Sequence, residues 1–415
     1  MQSVGPEHTQ GVWHFQERIE SEEPITDRRG LPRWLQVRWL VRDRHLCPHC
    51  GAVIEHPYKE RVRDVRGLPD GRCDVLYHVQ MHRYRCTACG RRSYETLPFL
   101  SSPKSRITRQ LERTIVEMRG WASIKDIAEH FNLPWETVKE AEKAALKRRY
   151  ARVPLAGVRH VGVDEIYVSG KGERSRRFLT VVRDLDTGAV LEVAEGKGRD
   201  ALSKFARRMR KYRSKVESIC MDMSNSYAPW AEKTFPNARV VYDHFHLIKS
   251  LNEKVDAVRR RAARNADERT RKVIKAHRYD VLGAPENLTP DGRKALDEIL
   301  ATFEEVSQAH GLREQVRSIY ATAKTEPEAK AAFERWCAAA EASTVAECRA
   351  MAGTVRRHLD GILGYWTFGG ANNASAEGFN NKIRWLIRVA YGYQDREYFK
   401  LKIFALPETR LDRAL

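Results

Sequence analysis

The stretch VRHVGVDEIYVSG, residues 158–170, decides how the chain is read. Its valines and isoleucine form a β-branched run closed by Ser169 and Gly170, the texture of a strand buried in a sheet. Asp164 interrupts that run. Downstream, FLTVVRDL (178–185) and GAVLEVAEG (188–196) read as strands joined by a turn at Asp186, Thr187 and Gly188, with Asp184 and Asp186 as turn residues. An amphipathic helix follows over about Arg199–Tyr212, with Leu202, Phe205, Ala206 and Met209 on one face. SICMD (218–222) is then a buried strand ending in Asp222. A helix around Tyr227–Thr234 and a strand ARVVYD (238–243) complete the order β, β, β, α, β, α, β, which is α/β with a sheet of mixed direction. Residues 251–370, rich in Ala, Arg, Lys and Glu at helical spacing with breaks near Gly283, Pro290 and Gly311, read as an all-helical insertion.

Two acids thus stand at strand positions where α/β sheets place their sites, Asp164 within an apolar strand and Asp222 at a strand's C-terminal end. Carboxylates on adjacent strands can bridge hard divalent cations. A third acid is expected from a helix packed on the sheet. In NASAEGFNNKIRWLIRVAYGY (373–393), Glu377, Asn380, Asn381, Arg384 and Arg388 share one helix face, and Phe379, Ile383, Leu386 and Ala390 share another. The helix can bury the second face and aim Glu377 and its polar companions at a site. Asp243 also follows a strand and is the rival second ligand, with Asp222 favoured. His244 and His246 either contact phosphate or cap the next helix, and the basic run at 258–264 either tracks a nucleic-acid backbone or forms a solvated helix face.

Upstream of the sheet lie two further modules. Cys47, Cys50, Cys86 and Cys89 form two C-x-x-C knuckles on either side of residues 51–85. Each two-residue gap lets both sulfurs turn onto one ion, so the four suit tetrahedral zinc, structural because a closed thiolate shell leaves no place for substrate. A hairpin insert around Asp64–Arg72 fills the long separation. His49, His56, His78 and His82 are rival ligands, and Cys73, Cys220, Cys337 and Cys348 are packing residues. This zinc-binding module spans 31–100. Over 105–150, Ser123 caps a helix carrying Ile124, Ile127, Ala128 and Phe131, a turn falls at Asn132 and Leu133, and a second helix turns Val138, Ala141 and Leu146 inward. Lys139, Lys143, Lys147, Arg148 and Arg149 face outward. That is the pattern of a helix-turn-helix, with an ordinary helical hairpin as the alternative.

The composition agrees with a polyanionic partner. The chain of 415 residues carries 74 Lys and Arg against 55 Asp and Glu, a net charge of +19, with 42% hydrophobic residues, too many for a mainly disordered chain. Eight cysteines are too sparse for a secreted disulfide framework. Neither a secretory leader nor an uncharged apolar run of about eighteen residues is visible, so a cytoplasmic protein without a membrane partner is expected.

The motifs around the three acids carry a resemblance. Asp164 in GVDE, Asp222 in MDMSNSYAPW followed by YDHFHLIK, and Glu377 in ASAEGFNNKIRWLIRVAYGY resemble the DDE transposases of the bacterial insertion-sequence group called IS-L-three, over nearly the whole chain. The resemblance implies a multidomain α/β protein: the zinc-binding module, the helix-turn-helix, then an RNase H-like domain over 157–250, interrupted by the helical insertion and resumed over 371–410. It implies Asp164, Asp222 and Glu377 as a catalytic triad holding two Mg²⁺, which would cut at terminal inverted repeats and join 3′ ends to target DNA. Zn²⁺ would be structural. Lys139, Lys143, Lys147, Arg148, Arg384 and Arg388 are candidate DNA contacts, with Asp243, His246, Asn380 and Asn381 as further site residues. The partner would be double-stranded DNA in the cytoplasm, at the nucleoid, and paired ends would call for at least a dimer. Two other functions remain open on the residues alone: a non-catalytic zinc-dependent DNA-binding regulator, and a hydrolytic nuclease without a joining step.

Overall fold

The buried strand around Asp164 is the centre of a five-stranded sheet. In the computed structural model the described residues are 15–42, 45–54, 59–95, 97–102, 104–168, 178–223, 227–368 and 374–408. They fall into two compact units, one within Met1–Ala151 together with Glu408, the other within Arg152–Pro407.

The first unit opens with a mixed sheet of β1 (Phe15–Thr26), β2 (Pro32–Arg42), β3 (Lys59–Arg66), β4 (Cys73–Arg85) and β5 (Arg92–Tyr94), in the order β1-β2-β4-β3 with β5 on β4. Residues 31–100, read from the sequence as a zinc-binding module around the cysteine pairs, are therefore mostly strand, and their sheet begins before residue 31. Alternation hides the signal: along β4, Val75, Val79 and Met81 are buried while the charged sequence of β1 lies largely exposed. β3 and β4 are antiparallel neighbours across residues 67–72. Three helices follow, α1 (Arg109–Met118), α2 (Ile124–His130) and α3 (Trp135–Arg149). Ser123 and Asp126 close a reciprocal capping box at the start of α2, and Asn132 takes φ +50° in the turn to α3. Ile115, Ile127, Phe131, Leu133 and Val138 form their shared core.

In the second unit the order is β6 (His160–Tyr167), β7 (Phe178–Asp184), β8 (Val190–Glu195), α4 (Arg199–Met209), β9 (Ser218–Met221), α5 (Ala228–Thr234) and β10 (Arg239–Tyr242). The sheet order is β10-β9-β6-β7-β8, with β6, β9 and β10 parallel and β7 and β8 antiparallel. Asp184 accepts from the Asp186 N–H (3.1 Å) and the Thr187 hydroxyl (2.7 Å), making the hairpin turn as expected. Helices then run as α6 (His244–Asn265), α7 (Glu268–Ala276), α8 (Arg278–Leu282), α9 (Pro290–Thr302), α10 (Glu304–Thr322), α11 (Glu326–Glu341) and α12 (Ala346–Thr367), before α13 (Ala374–Val389) and α14 (Arg396–Ala405). Gly311 does not break the chain. It lies inside α10, where Ala309, Leu312, Val316 and Ile319 bury a continuous face that outweighs the weak helix propensity of one glycine.

Alternation along β6 sends its side chains into two cores. Val161 and Val163 join Ile219, Met221, Leu247, Leu251, Phe333 and Ile362, so the long helices share one core with the sheet. Ile166 and Val168 instead meet Phe379, Ile383 and Leu386 of α13 and Phe399 and Ile403 of α14. α12 lies directly on β10: a Cβ at Gly361 would stand 2.5 Å from the Tyr242 ring, and one at Gly364 would stand 2.9 Å from Val241. Arg239 fixes the same edge, donating to Glu326 (2.8 and 2.9 Å), Asp360 (2.9 Å) and Thr367 (2.7 Å).

Hydrogen bonds from Arg239 and Thr367 hold the Glu326 carboxyl down at about 2, below its ordinary 4.5. Because the folded value is depressed, this contribution is fully present above about pH 4.5 and is lost as pH falls toward 2. Glu326→Gln is therefore expected to lower the melting temperature at pH 7 and to flatten the acid limb of thermal stability between those limits. A variant whose melting temperature tracks the parent's at every pH would exclude the tie.

Candidate functional site

Parallel pairing collects the acids. Gly162 lies opposite Cys220 on β9, and Met221 lies opposite Tyr242 on β10. Continued in register, Asp164, Asp222 and Asp243 stand level at the C-terminal edge of three neighbouring strands, where open α/β sheets place their sites. Asp164 shares its side of β6 with Ile166 and therefore faces α13, whereas Glu165 points to the opposite side and bonds Tyr227.

Helix α13 brings its polar residues to this edge while Phe379, Ile383 and Leu386 anchor it. The Asn380 amide donates to Asp164 Oδ2 at 2.5 Å, and Glu377 sits one turn earlier, exposed. Asn381, Arg384 and Arg388 are exposed, and Arg384 Nη1 donates to Asn381 Oδ1 at 2.8 Å. The expected apolar face is one residue too long, because α13 ends at Val389 and leaves Ala390 exposed.

Burial is the main influence on two of these acids. Burial pushes the Asp164 carboxyl up, against the Glu165 N–H, the Asn380 amide and the nearby His246. Burial also pushes Asp243 up; the Phe245 N–H and His246 oppose it, while the charges of Asp164 and Glu377 add to it. Asp243 is 4% exposed and caps α6 by accepting from Phe245 N at 3.1 Å. Asp222 lines a cavity of about 280 Å³ with His246, Lys249 and Glu253 of α6 and Thr354 and His358 of α12. Asp164, Asp222 and Glu377 share this edge, but they are not among the described groups whose ligand atoms all approach within 4.8 Å. Arg183 was not anticipated: its guanidinium lies 4.4 Å from the Phe379 ring centroid, within reach of the Asp164 charge. His244 packs against Tyr320 and Tyr365, and the cap belongs to Asp243.

The cysteines converge in the first unit. Cys47 and Cys89 sulfurs lie 3.7 Å apart, Cys50 and Cys86 3.5 Å, and all four fall within 4.8 Å of one another. The two knuckles are the same turn used twice. Gly51 N bonds Cys47 O and Gly90 N bonds Cys86 O, both at 2.9 Å, and both glycines take φ near +70°. Burial pushes the Cys47 thiol up, but the N–H groups of His49 and Cys50 outweigh it and hold it at about 6. The Ala52 N–H favours the Cys50 thiolate, yet Cys86 and the other crowded sulfurs push it up to about 12. Four thiolates at this spacing need a cation among them, and the donor set is compatible with zinc. The rival histidines are engaged elsewhere: His49 meets Arg91, His78 meets Glu20 and Asp64, and His82 with His45 encloses the buried Glu95; His56 lies outside the described residues. Cys73 is half-buried rather than packed in a core, while Cys220, Cys337 and Cys348 are buried.

Basic residues prove less available than their spacing suggests. On α3, Lys147 and Arg148 are exposed, but Lys139 and Lys143 are half-buried and Leu146 is only partly inward. Lys139 meets Glu140 and lies over Trp135, and Arg148 pairs with Glu112. In the 258–264 run, Arg259 is buried against Asp256 of its own helix (2.7 Å) and donates to Ile274 O of α7 (3.1 Å), and Arg261 pairs with Glu305 of α10 and Glu347 of α12, so these cations tie helices together.

Comparison with known proteins bears on this arrangement. The ISL3-type DDE transposase family model, described as "Transposase", matches residues 161–403. The chain is 30% identical to the "Transposase for insertion sequence element IS1001" of Bordetella parapertussis, over 98% of this chain and 97% of that protein. It is 25% identical to the "Transposase for insertion sequence element IS1557" of Mycobacterium tuberculosis, over 84% of this chain and 82% of the relative.

Asn380 gives the site a stability signature independent of activity. Removing a hydrogen bond to a carboxylate costs about 1.5–3 kcal/mol. Asn380→Ala is expected to lose stability on that scale in denaturant melts, and Asn380→Asp to lose more by adding a like charge. Equal melts for all three proteins would show that the amide does not hold Asp164.

Proposed function

The chain belongs to the ISL3 family of DDE transposases, and on that premise we propose that Asp164, Asp222 and Glu377 are its catalytic triad and the second unit an RNase H-like domain. It is an insertion-sequence transposase, an enzyme of DNA cleavage and strand transfer. The observation that carries the assignment of residues is the level placement of acids on parallel strands beside the α13 polar face. An all-oxygen donor set of carboxylates suits Mg²⁺. Bound there, two such ions would activate the attacking oxygen and stabilise the leaving one.

The chain's own residues supply position and charge. Asn380 and the Glu165 N–H orient Asp164, with Oδ1 accepting from that N–H at 2.8 Å. His246 places an imidazole ring beside the acids, and Lys249 offers a cation at the Asp222 cavity toward a phosphate. A water would nick the element's end, and the freed 3′-hydroxyl would attack target DNA at the same centre. The proximity of Asp243 to the Asp164 and Glu377 charges supports a second assignment, with Asp243 as second ligand. In the first unit, the four cysteines would hold a structural Zn²⁺ and α2 and α3 would read the terminal repeats, on paired ends and in at least a dimer. The protein would act at the nucleoid in the cytoplasm; among the described residues no helix is long and apolar enough to cross a membrane.

Incubation with Mg²⁺ and duplexes carrying the element's ends tests the triad. Asp164→Ala, Asp222→Ala and Glu377→Ala are each expected to lose cleavage and joining by at least about a hundredfold. Full activity in Asp222→Ala with loss in Asp243→Ala would move the second ligand, and full activity in Asp164→Ala or Glu377→Ala would end the assignment.

The zinc reading predicts one tightly held ion per chain by elemental analysis. Cys86→Ser should release it and unfold the β4–β5 region, since metal binding and folding are linked in such modules. Retention of that fold by metal-free protein, followed by hydrogen exchange, would exclude a structural role.

A further inference from the structure

The first unit contains a basic cleft that lies apart from the cysteine cluster and from α3. It has a volume of about 710 Å³ and is lined by Arg61 and Arg63 of β3, by Lys104 and Arg106, and by Tyr94. β3 ends the order β1-β2-β4-β3, and the segment leading to α1 runs beside it: Arg66 N bonds Arg106 O at 2.9 Å, and the Arg63 guanidinium donates to Ser105 O. Residues two apart on a strand project to the same side, so Arg61 and Arg63 stand together and Arg106 faces them from the neighbouring segment.

The acids on the cleft wall are directed to histidines. Asp64 meets His78 at 3.4 Å, and buried Glu95 is enclosed by His45 and His82. Burial pushes the Arg63 guanidinium down, and the charges of Arg61 and Arg106 push it further the same way. Cations that destabilise one another gain from an anion placed between them. Protection of a free strand edge requires a charge, but it does not require two chain segments to gather cations of one sign around a cavity.

We infer that this cleft grips the phosphate backbone of duplex DNA, as a sequence-independent contact separate from any base reading by α3. The inference rests on the transposase reading for its partner, and charge complementarity selects the occupant: a polyanion for a cleft of guanidinium and ammonium groups in a chain of net charge +19. The cleft would hold the duplex in place while the helices find register.

The test uses the full-length chain with metal in place, an end-containing duplex and a scrambled duplex of equal length, with binding measured across a salt series. Each phosphate contact contributes about 0.9 to the slope of log K against log salt. Arg61→Gln/Arg106→Gln is expected to reduce the slope by about 1.8 and to weaken both duplexes about equally. A matching thermal transition certifies the fold. Should that transition move, the exposed single variant Arg61→Gln decides the matter, with an expected slope change of about 0.9. A folded variant with the parent's affinity and slope would overturn the inference, as would a loss confined to the end sequence. Mg²⁺-dependent cleavage of the same duplex by the parent reads the transposase assignment separately. A parent that cuts normally while its double variant binds undiminished refutes the cleft alone. A parent that binds with the expected slope change in its variant yet never cuts supports the cleft and counts against the catalytic assignment.

Discussion

A carboxylate within an apolar strand is the constraint around which the second unit is arranged. Placing Asp164 among valines costs solvation, and one amide from Asn380 and one backbone N–H offset only part of that cost. Parallel pairing brings Asp222 and Asp243 to the same edge and α13 adds Glu377, and the charges of Asp164 and Glu377 push the buried Asp243 carboxyl further up. A fold selected for stability alone would relieve this with apolar residues of similar size. Retaining several acids in one place makes physical sense when a cation is to be held there.

The same logic explains how the helices between β10 and α13 contribute to the site. They share the larger core with Val161, Val163 and Met221, and the last long helix among them lies on β10 through Gly361 and Gly364. Arg239 ties the beginning of β10 to Glu326 of α11 and Asp360 of α12. Asp243 follows β10 and caps α6, so that helix starts at the edge where the acids stand. His246 and Lys249 are presented by that helix, and Thr354 and His358 by α12, across one small cavity beside Asp222. A chain that lost these helices would lose a wall of that cavity together with part of the core beneath the sheet.

Much of this was legible in the residues, and what was not has specific causes. The succession of strands and helices after Asp164 was readable from β-branched runs and amphipathic spacing, and the cysteine knuckles because two-residue gaps have few other uses. Register was not: that Asp222 stands level with Asp164 depends on hydrogen bonds between β6 and β9 that no local pattern encodes. The polar face of α13 was visible as a spacing, but only packing singles out Asn380, turned to Asp164, from exposed Asn381. Cation runs misled for a related reason. Arg259 finds Asp256 one turn away, whereas Arg261 finds Glu305 and Glu347 far along the chain, and distant partners leave no trace in a local window. The charged strand β1 and the His45, His82 and Glu95 cluster were missed because antiparallel pairing and buried polar contacts are likewise properties of the folded chain.

Net charge is therefore a poor guide to where a polyanion is met. Of the many arginines and lysines, those on α3, in the α6 run and at the β10 edge largely serve intramolecular carboxylates. What distinguishes the β3 cleft is that its acids are drawn off by histidines while its cations face one another across an open volume. Electrostatic recognition follows from that local imbalance, and the excess of the whole chain contributes attraction at longer range, screened over about 8–10 Å at moderate salt. A basic surface built this way can hold a duplex without reading it, because contacts to phosphates fix position and carry no sequence information.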